Sequence, residues 1–200
     1  VGMNRRHYSV VERAVEDMGG LDAVTSVSVQ WSEDYKRFLE RGYSLEEASK
    51  LIFANSLHGL DLLTYFAGHF ESPQAQVKKF SEPLGVTMSL SGISDRGVLG
   101  QFLSTWNSPG RWRLDVCTND RRYIFAPLES CRVQEVGVKG ERMIEPAERD
   151  TMYKAGFFQQ AELFCELIQT RQNNSRVDLV STRPPMHLAG ILTDLLSSVC

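Results

Sequence analysis

Cysteine is scarce in this chain of 200 residues: there are four, Cys117, Cys131, Cys165 and Cys200, far apart and in no CxxC pair. That spacing spells neither a zinc site nor a disulfide framework, and the expectation is reduced thiols in a cytoplasmic protein. No apolar run approaches the length that spans a bilayer, and no segment reads as a signal peptide. A surplus of positive charge is also lacking. The formal net charge is -3 and the basic residues occur as scattered pairs, Arg5-Arg6, Arg111/Arg113 and Arg121-Arg122. That distribution argues against an electrostatic grip on nucleic acid, which needs a concentrated basic patch. GxGxxG, GxxxxGK[ST], HExxH and GxSxG are all absent, and the glycines of "GISDRGVLG" have the wrong spacing for either phosphate-binding turn. Nothing in these residues binds a nucleotide by itself.

What is present is the composition of a globular protein, 42% hydrophobic and 24% charged, long enough for one domain with a sizeable core. Val1 to Met3 reads as the last piece of a strand and Asn4 to Tyr8 as a loop. Ser9 with Glu12 three residues on is a capping box for a helix that Gly19-Gly20 ends. "VTSVSVQW", from Val24, alternates apolar with small polar residues as a strand does. Ser44 and Glu47 form a second capping box, opening an apolar helical face that runs to Phe66 and stops at Gly68, with a break expected near Ala54 to Ser56. The middle reads as six strands: 74–80, 85–91, 97–105, 112–118, 122–126 and 131–136. Turn signals separate them, which implies a largely antiparallel meander. After Pro146 helix returns, with an apolar stripe of Phe157, Ala161, Phe164, Cys165 and Ile168. Gln172 to Ser175 is polar loop, and a last helix follows Pro184-Pro185. This order predicts an α+β fold, an open-faced mixed, mostly antiparallel sheet with helices packed on one face.

Within the first long helix, "NSLHGLDLL" carries Asn55, His58 and Asp61 at steps of three. An imidazole near neutrality takes a proton from a hydroxyl and returns it, and an amide one turn away orients a ligand by donating and accepting together. The competing reading, on residue type alone, is a satisfied core or rim histidine. For Asp61 a structural role is the favoured reading. Arg5 and Arg6 follow the expected strand end, where ligands bind in α/β sheets, although two adjacent arginines are more often a surface ion pair. Trp106, Trp112 and Tyr153 are candidates for lining a sugar site, against the commoner reading of aromatics in a sheet as core.

Four stretches then stand in a familiar order. "VGMNRRHYSVVERAVEDMGG" resembles the passage that ends the nucleotide domain of the Gfo/Idh/MocA oxidoreductase family. "NSLHGLDLLTYFAG" resembles that family's H-x-x-D-L-L helix. "STWNSPGRWRLDVCTNDRRYIFAPLE" is similar to the central hairpin of its sheet, and "YKAGFFQQAELFCELIQT" to the helix that follows. The resemblance covers nearly the whole chain. It implies residues 1–20 as the tail of a truncated Rossmann domain and 21–200 as a C-terminal substrate-binding and oligomerisation domain. The phosphate-binding glycine turn and the Glu-Lys-Pro lysine would lie upstream of Val1.

The resemblance further implies hydride transfer between a nicotinamide and a secondary alcohol or ketone of a sugar or polyol. His58 would be the general acid/base, and Arg5, Asn55, Trp106 and Tyr153 would contact substrate. NAD or NADP would be bound by the full-length protein and no cofactor by this fragment, which would be inactive alone. A homo-oligomer through the sheet face is implied, with neither nucleic acid nor membrane as partner. Many members place an aspartate four residues before the histidine; here that position is Ala54, and Asn55 follows it. The alternative reading is a non-catalytic dimerising module, in which Asn55 and His58 are incidental.

Overall fold

The computed structural model describes residues 2–174 and 178–199. One sheet of eight strands organises it, in the order β2-β3-β4-β1-β5-β6-β7-β8. The strands are β1 (Ser26–Glu33), β2 (Gln74–Ser81), β3 (Gly85–Ile93), β4 (Leu99–Trp106), β5 (Arg113–Cys117), β6 (Arg121–Phe125), β7 (Cys131–Glu135) and β8 (Arg142–Ile144). Two antiparallel meanders, β2-β3-β4 and β5 to β8, flank β1. β1 is antiparallel to β5 and parallel to β4. A parallel neighbour needs a long crossover, and the helices and hairpin between β1 and β4 supply it. The sheet is therefore mixed and mostly antiparallel, as the turn signals imply.

Alternation decides the faces. Val27, Val29, Trp31 and Glu33 of β1 point inward and are buried, as are Phe102 and Trp106 of β4. The residues between them, Ser28, Gln30, Gln101 and Leu103, line a shallow depression on the other face. The helices α1 (Ser9–Asp17), α2 (Tyr35–Glu40), α3 (Leu45–Ser49), α4 (Leu57–Ala67), α5 (Glu148–Met152), α6 (Phe157–Thr170) and α7 (Arg183–Val199) complete the fold. α4 packs over β1, β4 and β5, α7 over α4 and β2, and α1 over β7 and β8. Pro184 and Pro185 lie in the first turn of α7, where a missing N–H costs nothing. Among the described residues no helix is long and apolar enough to cross a membrane.

Several expectations are corrected. Gly2 and Met3 form no strand, and Val1 lies outside the described residues, as do Ser175 and Cys200. Asn4–His7 is a 3-10 turn with Asn4, Arg6 and His7 buried. Ser9 is not a cap: its hydroxyl accepts from the Ala147 backbone N–H at 2.8 Å and its own N–H donates to Asp150 Oδ2 at 2.6 Å, so tertiary partners outbid the local box. The box at Ser44 and Glu47 does form. The break in the long helix is a π-helical turn, Ile52–Ser56, leading directly into α4. α6 buries none of its residues; Phe164 and Ile168 are 61% and 63% exposed. Cys117, Cys131 and Cys165 are free thiols.

The 3-10 turn is tied to α4 by a buried ion pair. Arg6 Nε donates to Asp61 Oδ2 at 2.9 Å and Nη2 to Oδ1 at 2.5 Å, with the two side chains 8% and 0% exposed. Removing one partner leaves the other charge buried and uncompensated. Asp61→Ala is expected to cost about 3–5 kcal/mol, read from urea denaturation. The paired change of Arg6→Met with Asp61→Leu should recover most of it. A cost below about 1 kcal/mol for the single change, the worth of an exposed pair, would show that the contact is not structural.

Candidate active site

The 3-10 turn distributes three consecutive side chains in three directions. Arg6 goes to Asp61 on α4. Asn4 donates through Nδ2 to the Ala155 carbonyl at 3.2 Å, pinning the turn that follows α5. At Gly156, beside it, a Cβ would meet the Asn4 carbonyl oxygen at 2.2 Å, so only glycine permits that approach. Arg5 turns to the sheet. Its guanidinium lies over Trp112, 4.8 Å from the ring centroid, and over Trp31 at 5.7 Å. The two indoles are stacked 4.3 Å apart and 10° from parallel. Each is anchored by its N–H: Trp112 donates to the Ser32 carbonyl at 3.0 Å and Trp31 to Glu33 Oε1 at 2.8 Å. α4 lies against the same stack. At Gly59 a Cβ would meet the Trp31 ring at 2.6 Å, so the residue after His58 must be this small.

His58 is half-buried in the first turn of α4, and its Nδ1 is buried without a hydrogen-bond partner. Its pKa is lowered to about 4, first by burial and then by the charges of Arg5 and Lys154. The ring is therefore neutral at pH 7. Asn55 lies in the π turn, where its amide donates to Glu33 Oε2 at 3.3 Å, and Ser56 Oγ donates to Glu33 Oε1 at 3.2 Å. Glu33 is buried beneath this turn and its pKa is raised to about 7, burial outweighing the three hydrogen bonds and the attraction of Arg5. Burial also pushes the Asp61 carboxyl up, against the pull of Arg6.

Arg5, His58 and Asn55 thus lie around one edge of the helical layer, over β1. Tyr153 is exposed nearby in sequence to the pinned turn, its ring stacked on Phe158 at 5.0 Å. Trp106 is elsewhere. It is fully buried, in phase with Phe102 on the inward face, and offers no surface to a ligand, which corrects the expectation of substrate contact. Trp112 lines a cavity of about 260 Å³ with Gly110, Arg111, Pro127, Leu128 and Glu129. Glu33 and Lys154 belong to the site and were not among the residues expected there. Glu33 was findable: it continues the parity of Val27, Val29 and Trp31 and so had to face inward. Lys154 carries no comparable signal. Among the described residues no group of His, Cys, Asp and Glu is arranged to hold a metal ion.

A scan against family models and a search of curated proteins gave no match. Solved structures do match. UDP-N-acetylglucosamine 3-dehydrogenase from Acidithiobacillus ferrooxidans superposes with a TM-score of 0.73 at 15% identity, covering 98% of this chain and 61% of its own. Levoglucosan dehydrogenase, in complex with NADH and levoglucosan, gives 0.71 at 12%, with 98% and 64% covered. The dehydrogenase MviM from Clostridium difficile gives 0.71 at 13%, with 100% and 61% covered. These neighbours are Gfo/Idh/MocA-type dehydrogenases, and at such identities the likeness establishes a shared fold. The chain spans about three fifths of the length of the proteins it matches.

The two perturbed groups at the site titrate in opposite senses. Glu33, raised from 4.5 to about 7, binds its proton more tightly when folded. Its contribution to stability is complete below the unfolded value and is lost as pH rises through about 7. His58, lowered from 6.5 to about 4, contributes fully above 6.5 and loses that contribution as pH falls toward 4. Comparing the wild type with Glu33→Gln cancels the histidine. From pH 5 to pH 8 the wild type should lose about 2–3 kcal/mol more than the variant, measured by urea denaturation at the two pH values. Parallel pH dependences would mean that Glu33 is ionised throughout.

Proposed function

We propose that this chain is the substrate-binding and oligomerisation domain of an NAD(P)-dependent oxidoreductase of the cytoplasm. The reaction is hydride transfer to or from a secondary alcohol or ketone of a sugar or polyol. The observation that carries this reading is His58: a neutral imidazole with an unpartnered buried nitrogen, on a helix fixed by a buried ion pair, between two cations. Such a ring accepts the proton of a hydroxyl as its carbon is oxidised, and returns it in the reverse direction. Arg5 and the Trp112 face of the neighbouring cavity position the sugar, and Asn55, held by Glu33, borders the ring. Tyr153 is a further contact at the exposed rim.

The residues present do not fit a dinucleotide. The GxGxxG turn that receives a pyrophosphate at a helix N-terminus is absent from these residues. The nicotinamide, which supplies the hydride acceptor when bound, therefore belongs to a preceding Rossmann domain of which residues 1–20 are the tail. The apolar side of α6, with Phe157, Phe164 and Ile168 open to solvent, is the surface that domain would cover. The neighbours support this division, since each extends well beyond the part this chain matches.

A second reading, a dimerising module without catalysis, is favoured by the open face of the sheet. Ile93 pairs with Leu99 across β3 and β4, Ser89 with Leu103, and the three apolar side chains are exposed there. The rest of that face, Ser28, Gln30, Ser91 and Gln101, is polar, so pairing through it would be partly hydrogen-bonded.

Two measurements separate the readings. In the protein joined to its preceding domain, His58→Ala should lower kcat with NAD(P) and its sugar by about 10²–10⁴-fold while cofactor binding and folding persist. The 200 residues alone should show no turnover. Unchanged turnover in the variant would remove His58 from the chemistry. Separately, light scattering after size exclusion should show Leu103→Arg shifting a dimer of this chain to monomer; a wild-type monomer at all concentrations would remove the oligomerisation role.

A further inference from the structure

The charges around His58 do not balance. Among the described residues the Arg5 guanidinium makes no ion pair and no hydrogen bond, and its Nε is buried without a partner. Among the described residues Lys154 meets only the Phe157 ring, 4.9 Å away. Arg111, at the mouth of the Trp112 cavity, is exposed. The nearby carboxylates are mostly committed elsewhere. Asp61 holds Arg6, and Glu12 accepts from Arg149. Asp150 accepts from the backbone N–H of Ser9 and, at 2.9 Å, of Gly156. Glu33 is occupied by Trp31, Asn55 and Ser56. Among the described residues two further groups act on Arg5: Tyr8, whose hydroxyl burial keeps protonated, and Glu129, exposed on the cavity wall, which forms no ion pair with it.

The cations are also built in. Asn4 is bonded to Ala155, the residue after Lys154, so Arg5 and Lys154 extend from two segments clasped to one another. The Arg5 seat on two indoles orients the guanidinium without using any of its N–H donors. Arg5 is half-buried without an ion pair, which is costly unless something else supplies the counter-charge, whereas Lys154 is exposed and adds its charge at the rim.

We propose that the substrate of this site carries an anionic group, a carboxylate or phosphate ester on the sugar, which Arg5 and Lys154 hold beside His58. The inference rests on the functional reading above and narrows its substrate class. It also resolves a difficulty in that reading. An imidazole titrating near 4 is a weak base toward a hydroxyl. An anion placed against Arg5 and Lys154 cancels their fields and raises the ring's basicity when substrate arrives.

The test uses the 200-residue chain, with D-glucuronate, D-glucose 6-phosphate, D-glucose and NADH as probes. Binding is read from the fluorescence of the Trp31–Trp112 stack, and the His58 titration midpoint from its ring carbon resonance by NMR. The two anionic sugars should bind about tenfold more tightly than glucose at low salt, and each should raise the His58 midpoint. Arg5→Ala and the exposed-site change Lys154→Ala should each remove most of that preference, weakening the two anionic sugars several-fold more than glucose, with Arg5→Lys restoring part of it. Equal affinity for glucose and the anions, or equal losses for both in the variants, would overturn the inference and leave a neutral-polyol site with the proposed function intact. Arg5-dependent binding of NADH with no preference among the sugars would overturn it by assigning the cations to the cofactor's phosphates. Absence of binding by every sugar would overturn it and count against the sugar-site reading as well.

Discussion

The buried pair of Arg6 and Asp61 is the contact on which the site depends. Neither group is tolerable inside alone, so each demands the other, and the demand fixes the N-terminal 3-10 turn against α4 at one place. Because the pair is bidentate, it sets orientation as well as distance. Once Arg6 is fixed, its neighbours have no freedom to choose: Asn4 must face the turn at Ala155, and Arg5 must face the sheet. Three segments distant in sequence are thereby brought around His58 by one turn of four residues.

Adjacent arginines in this turn are used in opposite ways. Arg6 spends its donors on a carboxylate and becomes structural. Arg5 is seated on aromatic faces, which hold a guanidinium by its plane and leave its edge free. A lysine would not take that seat in the same way, since the stacking needs a flat, delocalised cation. The second indole contributes beyond area: stacked on Trp112 and tied to Glu33, Trp31 gives Arg5 a floor two rings deep that Gly59 lets α4 approach.

The sheet was readable from turn residues and from the alternation of strands such as β1 and β4, which have one buried and one more polar face. What escaped has physical causes. β8 is three residues long and cannot alternate, and α2 is a six-residue helix whose apolar spacing, Tyr35, Phe38 and Leu39, fills barely one turn. The Ser9 box obeyed the local rule but lost to Ala147 and Asp150, which no local pattern encodes. Placing Asn55 one turn before His58 assumed 3.6 residues per turn, and the π turn between Ile52 and Ser56 breaks that count. It directs Asn55 and Ser56 together onto Glu33. Trp106 was misplaced by residue type when its parity with Phe102 already put it inside. Residue type and pattern did not distinguish Arg5 from Arg6, which the resemblance alone separated; the positions of Asp61 and the two indoles give the physical difference.

The Ala54 position sharpens what His58 can be. Where a carboxylate four residues earlier would orient the imidazole and raise its basicity, this chain places its carboxylate on β1, under the helix, with its oxygens taken by Trp31, Asn55 and Ser56. The charges acting on His58 are instead cations, and its Nδ1 has no partner to fix the tautomer. Ring orientation and proton affinity are then left to whatever fills the site, rather than preset by the protein. On the proposed reading, such a ring is a weak base until the ligand's own charge strengthens it, which would couple proton acceptance to binding.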